Sequence, residues 1–559
     1  MDPERGGCWQ ICPAEDFKVS RQYVENTNVV ETRFETANGV LRLTDFMPAE
    51  GFKRTHLCVD HEVLRIVECL SGEVTVQVTF DPRPNYGEQK VKFNERAKLG
   101  LRVNAGRGML TLHSQLTFTI EGAARVTVRL RTGETLPFSL TYTLESPAVL
   151  PVLEQSGEVL ERTIRWWKDW ANQFTYDGPY REAVLRSILT LKLLEFAPSG
   201  AFVAAVTTSL PEKVGSDLNW DYRYCWLRDA SLTIRALCET GYKNEAESFA
   251  EWMLHATRLT QPELMVMYDV YGNLAKPERT LLHMPGYRGS SPVRVGNQAR
   301  KQLQLDTYGE VICGSSRLIK SNGYADRETA KVLTSLGKYV CGNWRHPDAG
   351  IWEPRDAPAA HTHSRLLCWV ALDELLQLHD RGLLNKAPMD MFKNTRDEIR
   401  RDIELNSWNE EIGSYTSKPG ETTLDATLLL IALHNFEPIS SIRLRRTFDR
   451  VKQKLGAGGP LLYRYRIEQY PEEGAFGICS FWAAEYLAMG GGSLEEAKRD
   501  FEALLRYAND LGLYAEEIDP ITGAALGKLP SGIHACWSHQ CGSCHKQTRK
   551  IQFLEEQIQ

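Results

Sequence analysis

The spacing of apolar residues changes near residue 148, and this change limits the possible folds more than any other feature. Before it, apolar and polar side chains alternate, as in the run RVTVRL at residues 125–130, which is the period of a half-buried strand. Similar runs occupy residues 28–36, 40–46, 62–69, 73–80 and 136–144, with the turn signals Asn38-Gly39, Ser71-Gly72 and Asp81-Pro82 between them. Several short strands without helical windows between them predict an antiparallel β-sandwich over residues 1–148.

The period becomes helical in the second part of the chain. Residues 149–178 are predicted to form a proline-containing linker that includes one helix, near residues 158–174. From residue 180, apolar residues recur every three or four positions, as at Val184, Ile188 and Leu191. About eleven such windows lie near residues 180–197, 228–240, 244–257, 298–319, 325–342, 363–380, 388–405, 423–435, 440–455, 474–489 and 493–511. Convincing strands are absent from this half. A set of about twelve helices would close an (α/α)₆ barrel over residues 179–527, although a solenoid or a bundle fits the same helix count.

The composition places the chain among soluble globular proteins. Of its 559 residues, 42% are hydrophobic and 25% are charged, and the formal net charge of −6 gives no field that would attract nucleic acid or an anionic membrane. No apolar stretch approaches about 18 residues, and the first residues show no signal-peptide pattern. The 13 cysteines are an odd number and mostly lie far apart, as in reduced intracellular proteins. These features predict a cytoplasmic protein with no nucleic-acid or membrane partner, and they leave a homo-oligomer open.

Three loop segments combine aromatic and charged side chains. The first, at residues 210–230, places four aromatic side chains around two acids and two arginines: Trp220, Tyr222, Tyr224 and Trp226 with Asp221, Asp229, Arg223 and Arg228. Because sugars present apolar faces and hydroxyl edges, this combination is typical of a sugar pocket. An aromatic core with surface ion pairs would contain the same residue types, since such ion pairs are common.

The other two segments, at residues 343–356 and 514–523, each contain a candidate acid. Glu353 follows Trp352, and a carboxyl group in such an apolar setting would keep its proton near neutral pH, as a proton donor must. A solvated loop glutamate is the alternative interpretation. Glu516 and Glu517 are adjacent, and neighbouring side chains of an extended segment point opposite ways, so only one of them could enter a pocket.

No cofactor or metal is predicted. The pattern CGSCH at residues 541–545, together with Cys536 and His539, has the ligand types of a haem-attachment or zinc site. A pattern of five residues in a polar tail is weakly specific, so it does not predict a metal site. The sequence also contains no P-loop, no GxGxxG motif before a helix and no GxSxG motif.

Six ordered motifs carry a resemblance to a known family. They are NWDYRYCWLRDA, QLQLDTYGEV, GIWEPRD, LYRY, EEGAFGICSFW and YAEEIDPITG. In this order they resemble glycoside hydrolase family 15, which contains glucoamylases, glucodextranases and microbial trehalases. The strands before residue 148 resemble a trehalase-type N-terminal domain. The resemblance covers residues 3–527 and implies an (α/α)₆ barrel, with the active site of an inverting, exo-acting α-glucoside hydrolase at its mouth.

The resemblance also implies roles for single residues. Glu353 matches the general acid and Glu516 the general base. Inversion needs room for a water molecule, so the two carboxyl groups are expected to lie roughly 6.5–9.5 Å apart. The matched substrate-binding positions are Arg228, Asp229, Trp226, Asp221, Tyr222, Trp352, Arg355 and Arg464. Of these, Arg228 and Asp229 match the pair that holds the non-reducing glucose.

The resemblance leaves the substrate open. We expect glucose release from α-glucan or maltooligosaccharide ends, with trehalose as the alternative substrate and a catalytically silent carbohydrate-binding protein as a further alternative. Two regions depart from the family pattern. The chain begins inside the first strands, and after Gly527 the family's Asn-Phe-Pro-Gln-like segment is replaced by KLPSG and an atypical tail at residues 528–559. These departures predict a fold that is incomplete at both chain ends.

Overall fold

The computed structural model describes residues 2, 5–49, 61–95, 100–144, 152–465 and 473–530. The chain divides into two compact units between Gln173 and Phe174, inside the linker that the sequence predicts. The predicted tail lies outside the described residues from residue 531 onward, as does the cysteine-rich pattern within it. No helix in the described part of the chain is both long enough and apolar enough to cross a bilayer.

In the residues of the first unit that the structure describes, the main elements are antiparallel strands and one α-helix. The strands are β1 (Cys8–Pro13), β2 (Phe17–Tyr23), β3 (Val30–Thr36), β4 (Gly39–Phe46), β5 (Glu62–Asp81), β6 (Phe93–Glu95), β7 (Leu101–Ala105), β8 (Gly108–Ser114), β9 (Thr119–Glu121), β10 (Ala123–Arg131) and β11 (Thr135–Thr143), and the helix is α1 (Ser156–Ala171). The main path of paired strands runs β2-β3-β4-β5-β11-β8-β7-β6. In addition, β1 and β10 pair with β5, and β9 pairs with β10. The predicted antiparallel β-sheet domain is therefore confirmed.

Strand β5 is 20 residues long and takes part in two ladders. Its first part pairs with β4 and β11, and its last part pairs with β1 and β10. The prediction of a turn at Ser71-Gly72 is wrong, because the runs at residues 62–69 and 73–80 form one bent strand. Gly72 has a φ of 72°, and a Cβ at this position would overlap the carbonyl oxygen of Asn38. The bend therefore requires a residue without a side chain.

Burial along β10 confirms the period-two pattern. Ala124 and Leu130 are buried, whereas Arg125 and Arg129 are exposed on the opposite face of the strand. The buried faces of the strands form one apolar core, which includes Leu41, Val67, Val76, Val103 and Phe138. Removing these side chains from water is the main favourable contribution to folding of this unit.

The second unit is helical. Its helices are α2 (Arg181–Leu194), α3 (Leu227–Thr240), α4 (Lys243–Ala256), α5 (Asp306–Asn322), α6 (Arg327–Asn343), α7 (Thr362–Asp380), α8 (Met389–Asn406), α9 (Leu430–Leu433), α10 (Ile442–Leu455), α11 (Gly477–Tyr486) and α12 (Leu494–Leu505). Each of the predicted helical windows contains one of them. Two windows differ in extent: α5 begins at Asp306 rather than near residue 298, and α9 is short because Ala426–Leu429 form a 3₁₀ turn.

Alternate helices of the second unit pack side by side. Helix α3 contacts α5, and α5 contacts α7, while α4 packs on α3 and α8 packs on α7. Every residue of α11 is buried, and α7 has twelve buried residues. An alternation of this kind places α3, α5 and α7 in one layer and α4 and α8 outside it.

The expectation that this half lacks strands is wrong for its loops. Strands of two to four residues pair in the loops between the helices. They are β12 (Glu195–Phe196), β13 (Ala201–Phe202), β14 (Thr208–Pro211), β15 (Asn219–Asp221), β16 (Cys225–Trp226), β17 (Met267–Tyr268), β18 (Arg279–Thr280), β19 (Arg294–Val295), β20 (Trp408–Asn409), β21 (Ser414–Tyr415), β22 (Gly456–Gly458), β23 (Leu461–Leu462), β24 (Ala475–Phe476), β25 (Glu517–Ile518) and β26 (Ala525–Leu526). Strand β16 leads directly into α3 and β24 into α11, so these pairings fix the loops that precede both helices.

Candidate active site

The loops that precede α3 and α11 and follow α6 line one cavity of about 560 Å³. This volume lies in the range of small-molecule sites. Most of the substrate-binding and both catalytic residues expected from the sequence line it: Tyr222, Trp226, Arg228, Asp229, Trp352, Glu353, Arg355, Arg464 and Glu516. The structure thus brings together side chains from four distant parts of the chain.

Arg228 lies in the first turn of α3 and holds the loop that carries Glu353. Its Nη1 atom donates to the carbonyl oxygen of Ile351 at 2.9 Å and to Oε1 of Glu353 at 3.2 Å. Trp226, in β16, donates from its indole nitrogen to the same Oε1 atom at 2.8 Å. Two N–H donors, from Trp226 and Arg228, therefore fix one oxygen of the Glu353 carboxyl group.

Glu353 has a left-handed backbone conformation, with a φ of 53°. Such a conformation is uncommon for a residue with a side chain, and it persists where surrounding contacts enforce it. The bonds from Trp226 and Arg228 supply those contacts. The setting of this carboxyl group is therefore less apolar than the sequence predicts, because an arginine contacts it.

Glu516 lies between α12 and β25 and is 5% exposed. Its backbone is held on both sides, since its N–H donates to Lys528 O at 3.0 Å and its carbonyl accepts from Gly477 N at 3.1 Å. Its Oε1 atom lies 3.1 Å from Nζ of Lys528.

Glu517 is turned away from the cavity, and its Oε2 atom accepts from Gly474 N at 2.9 Å. Burial raises the pKa of Glu517 well above its ordinary value.

Asp229 follows Arg228 in α3 and also lines the cavity. Its Oδ1 atom lies 3.5 Å from Nε of Arg228. Burial raises the pKa of Asp229, although the positive charges of Arg228 and Lys528 oppose this effect. Asp229 can therefore present a carboxyl group to a sugar hydroxyl inside the cavity.

A second polar cluster lines the cavity around Arg464. Its Nε atom donates to Glu473 at 2.9 Å and its Nη2 atom to Glu212 at 3.1 Å. The hydroxyl group of Tyr222 donates to the other oxygen of Glu212 at 2.8 Å. Burial raises the pKa of Glu212 to about 7, an effect that Arg464 opposes and that Glu516 and Glu473 strengthen. The sequence reasoning missed Glu212, Glu473 and Lys528.

The remaining expected residues differ in their surroundings. The indole nitrogen of Trp352 donates to Asp425 Oδ2 at 3.1 Å. Arg355 lies at the more exposed side of the cavity, where it pairs with Glu278 at 2.7 Å. Asp221 lies outside the cavity lining. Its carboxylate accepts from the guanidinium group of Arg223 and from the backbone N–H of Gly296, so it fixes loops rather than facing the cavity.

The part of the chain that the structure describes contains no group of three or more His, Cys, Asp or Glu side chains placed to hold a metal ion. The cavity is instead lined by carboxyl groups, guanidinium groups and aromatic rings. Two carboxyl groups on separate loops, beside aromatic rings and arginines, can perform acid and base chemistry on a sugar.

Each of the two units matches the model of a known protein family. The model of glycosyl hydrolases family 15 matches residues 178–540, and the model described as trehalase-like, N-terminal, matches residues 2–133. The chain therefore belongs to glycosyl hydrolases family 15, and it is a glycoside hydrolase. This confirms the resemblance drawn from the six motifs.

Two named relatives cover most of the chain. A trehalase of Thermoplasma volcanium is 32% identical over 542 residues, which are 95% of this chain and 85% of that protein. A trehalase of Mycobacterium tuberculosis is 33% identical over 543 residues, which are 92% of this chain and 79% of that protein. A solved wild-type glycosidase superposes with a TM-score of 0.53 at 16% identity, covering 65% of this chain and 96% of that one, and at this identity it shows the fold alone.

Proposed function

We propose that this chain hydrolyses α,α-trehalose to glucose with inversion at the attacked carbon. The observation that carries the proposal is that Glu353 and Glu516 line one cavity together with Arg228 and Asp229. The relatives that match over more than nine tenths of the chain are named trehalase. They favour trehalose over the α-glucan ends that the sequence reasoning put first.

The proposed mechanism gives one role to each of the two glutamates. Glu353 would donate its proton to the glycosidic oxygen while the bond from that oxygen to the anomeric carbon breaks. Glu516 would accept a proton from the water molecule that attacks the opposite face of the same carbon. Both Trp226 and Arg228 donate to Glu353, so they stabilise the carboxylate that remains after proton transfer.

The other side chains of the cavity would bind the two sugar rings. Arg228 and Asp229 would hold hydroxyl groups of the ring that is attacked, with contacts that tighten as this ring flattens in the transition state. Arg464 and Glu212, on the other polar cluster, face the same cavity and would bind the departing ring. Trehalose has two identical rings, so a trehalase needs a polar subsite on each side of the scissile bond.

The proposed architecture is an (α/α)₆ barrel at residues 179–527 that follows a β-sandwich at residues 1–148. The alternate packing of α3, α5 and α7, with α4 and α8 outside them, supports the barrel. The two ladders that share β5 support a sandwich. Residues 149–178, with α1, would connect the two domains.

The test is to follow anomers by proton NMR during early hydrolysis of trehalose and of maltotriose. An inverting trehalase releases one β-glucose and one α-glucose from each trehalose, because only one anomeric carbon is attacked. Release of α-glucose alone would contradict inversion. Faster release of β-glucose from maltotriose would favour the glucan alternative, and no release from either sugar would favour a silent carbohydrate-binding protein.

Variants of the glutamates assign the roles. Glu353→Gln and Glu516→Gln are each expected to lower kcat by about 1,000-fold or more, since each removes a proton transfer that the reaction needs. Glu517→Gln is the matched control. Its carboxyl group lies away from the cavity, and its raised pKa makes a neutral amide a close substitute. Equal losses in Glu516→Gln and Glu517→Gln would contradict the assignment of Glu516 as the base.

A further inference from the structure

Lys528 is a buried lysine in direct contact with the proposed general base. Its Nζ atom lies 3.1 Å from Oε1 of Glu516, and the two side chains are only 4% and 6% exposed. The same Nζ atom lies 4.6 Å from the centre of the Tyr222 ring. A lysine is rarely buried unless it is paired, and here it has a carboxylate and an aromatic face as partners.

Hydrogen bonds also hold the backbone of Lys528 in place. In the three-stranded sheet, β24 pairs with β25 and β25 pairs with β26, with Glu517 opposite Leu526. Directly beyond this pair, the N–H of Glu516 donates to the carbonyl oxygen of Lys528 at 3.0 Å. The residue before Lys528 is also held, because the N–H of Gly527 donates to the carbonyl oxygen of Pro211 at 2.8 Å. The lysine is therefore held at the carboxyl group by two independent sets of bonds.

The charges around Glu516 explain why a cation is needed there. Asp229 and Glu212 interact electrostatically with Glu516, whereas Glu517 and the phenol of Tyr222, whose pKa values are raised well above their ordinary values, face it mainly in their protonated forms. Negative charges close to a carboxyl group make its ionisation harder, whereas a general base has to be ionised before it can accept a proton. Lys528 supplies a positive charge in contact with the carboxyl group.

We propose that Lys528 is a positioning residue that keeps Glu516 ionised and aimed at the attacking water, and so sets the acidic limit of activity. The proposal rests on the assignment of Glu516 as the general base. Lys528 forms no bond to the substrate in this role. It acts through the carboxyl group that it contacts.

The test is the pH dependence of kcat/KM for trehalose in the wild type, Lys528→Met and Lys528→Arg. Loss of the charge in Lys528→Met is expected to move the acidic fall in activity to higher pH by about one unit or more, the effect of removing an opposite charge at this distance. Lys528→Arg keeps the charge and is expected to restore most of the wild-type profile. Lys331→Met is the matched control, because Lys331 forms an exposed ion pair with Glu328 at 2.8 Å.

One outcome of this experiment would overturn the proposal. A uniform loss of activity in Lys528→Met, with the acidic fall at its wild-type pH, would indicate a structural role only. If Lys528→Met melts below the assay temperature, Lys528→Gln is compared in its place by the same criterion.

A wild type that hydrolyses no glucoside would refute the proposed function without deciding this inference. The ionisation of Glu516 is then followed by infrared spectroscopy with ¹³C-labelled glutamate, with Glu516→Gln identifying its band. A titration midpoint that is the same in the wild type and in Lys528→Met would overturn the proposal. A higher midpoint in Lys528→Met would support it.

Discussion

Replacing Trp226 by Phe removes one hydrogen bond to the proposed general acid and leaves an aromatic ring in place. The indole nitrogen of Trp226 donates to Glu353 Oε1 at 2.8 Å, while Arg228 donates to the same oxygen at 3.2 Å. Trp226 is 3% exposed, so water has little access to replace the lost donor. When Glu353 gives up its proton, this oxygen gains negative charge, and the missing bond matters most at that point.

The size of the effect follows from the energy of a hydrogen bond to a charged group. Such a bond contributes about 1.5–3 kcal/mol, and a factor of ten in rate corresponds to about 1.4 kcal/mol. If the full difference appears in the transition state, Trp226→Phe lowers kcat for trehalose by about 10- to 150-fold, with KM little changed.

The assay compares trehalose with α-glucosyl fluoride. Fluoride leaves without protonation, so the fluoride substrate does not need a general acid, and Trp226→Phe should hydrolyse it at close to the wild-type rate. Trp252→Phe is the matched control, since Trp252 is also buried and donates to Val270 O at 3.2 Å but lies outside the cavity lining. Equal losses on both substrates in Trp226→Phe would refute the reasoning, because they would place the defect in substrate binding or folding.

Two further predictions concern stability and the geometry of the base. Burial raises the pKa of Glu485 to about 7, so between about pH 4.5 and 7 the unfolded chain loses this proton before the folded protein does, and the free energy of unfolding falls as the pH rises. Glu485→Gln should therefore raise the free energy of unfolding by up to about 3 kcal/mol at pH 8. Below about pH 4.5 the substitution should have no such effect, because the carboxyl group is protonated in both the folded and the unfolded state. Urea unfolding at both pH values measures the difference. Gly527 has a φ of 69°, and a Cβ there would lie 3.1 Å from Glu516 Oε2, so Gly527→Ala should displace Glu516 and lower kcat about 10-fold or more. Gly323→Ala, at a φ of 77° with open space around it, should lower only the melting temperature.

The helices could be predicted from the sequence because their apolar stripes are long. Each window of the second unit contains about three or more turns of pattern, which is enough to identify a helix. The single strand β5 could not be predicted, because Ser71-Gly72 has the residue types of a turn and here forms a bend within a strand. The two-residue strands of the loops leave no detectable alternation, so pairs such as β16 with β17 emerge only from the folded chain.

The candidate site could be predicted only where its residues belong to motifs. Glu353 and Glu516 lie in long motifs, and both line the cavity. Glu212 was missed because its partner Arg464 lies 252 positions away, and an ion pair across such a separation has no local sequence pattern. Asp221 lies in a motif, yet the structure turns its carboxylate toward Arg223 and Gly296. Membership in a motif therefore does not separate side chains that face the cavity from those that hold its loops.

The contacts of the two glutamates differ in how they fix each carboxyl group. Both donors to Glu353 bind Oε1, and an oxygen that accepts two N–H bonds is a poor position for a proton, so the transferable proton belongs on Oε2. Proton transfer then leaves a carboxylate that is already stabilised at its other oxygen, as a general acid requires. Glu516 also contacts a cation, since the ammonium group of Lys528 lies 3.1 Å from its Oε1 atom. Because a cation contacts each carboxyl group, charge does not separate the acid from the base, and what distinguishes Glu353 is the pair of N–H donors fixed on one of its oxygens.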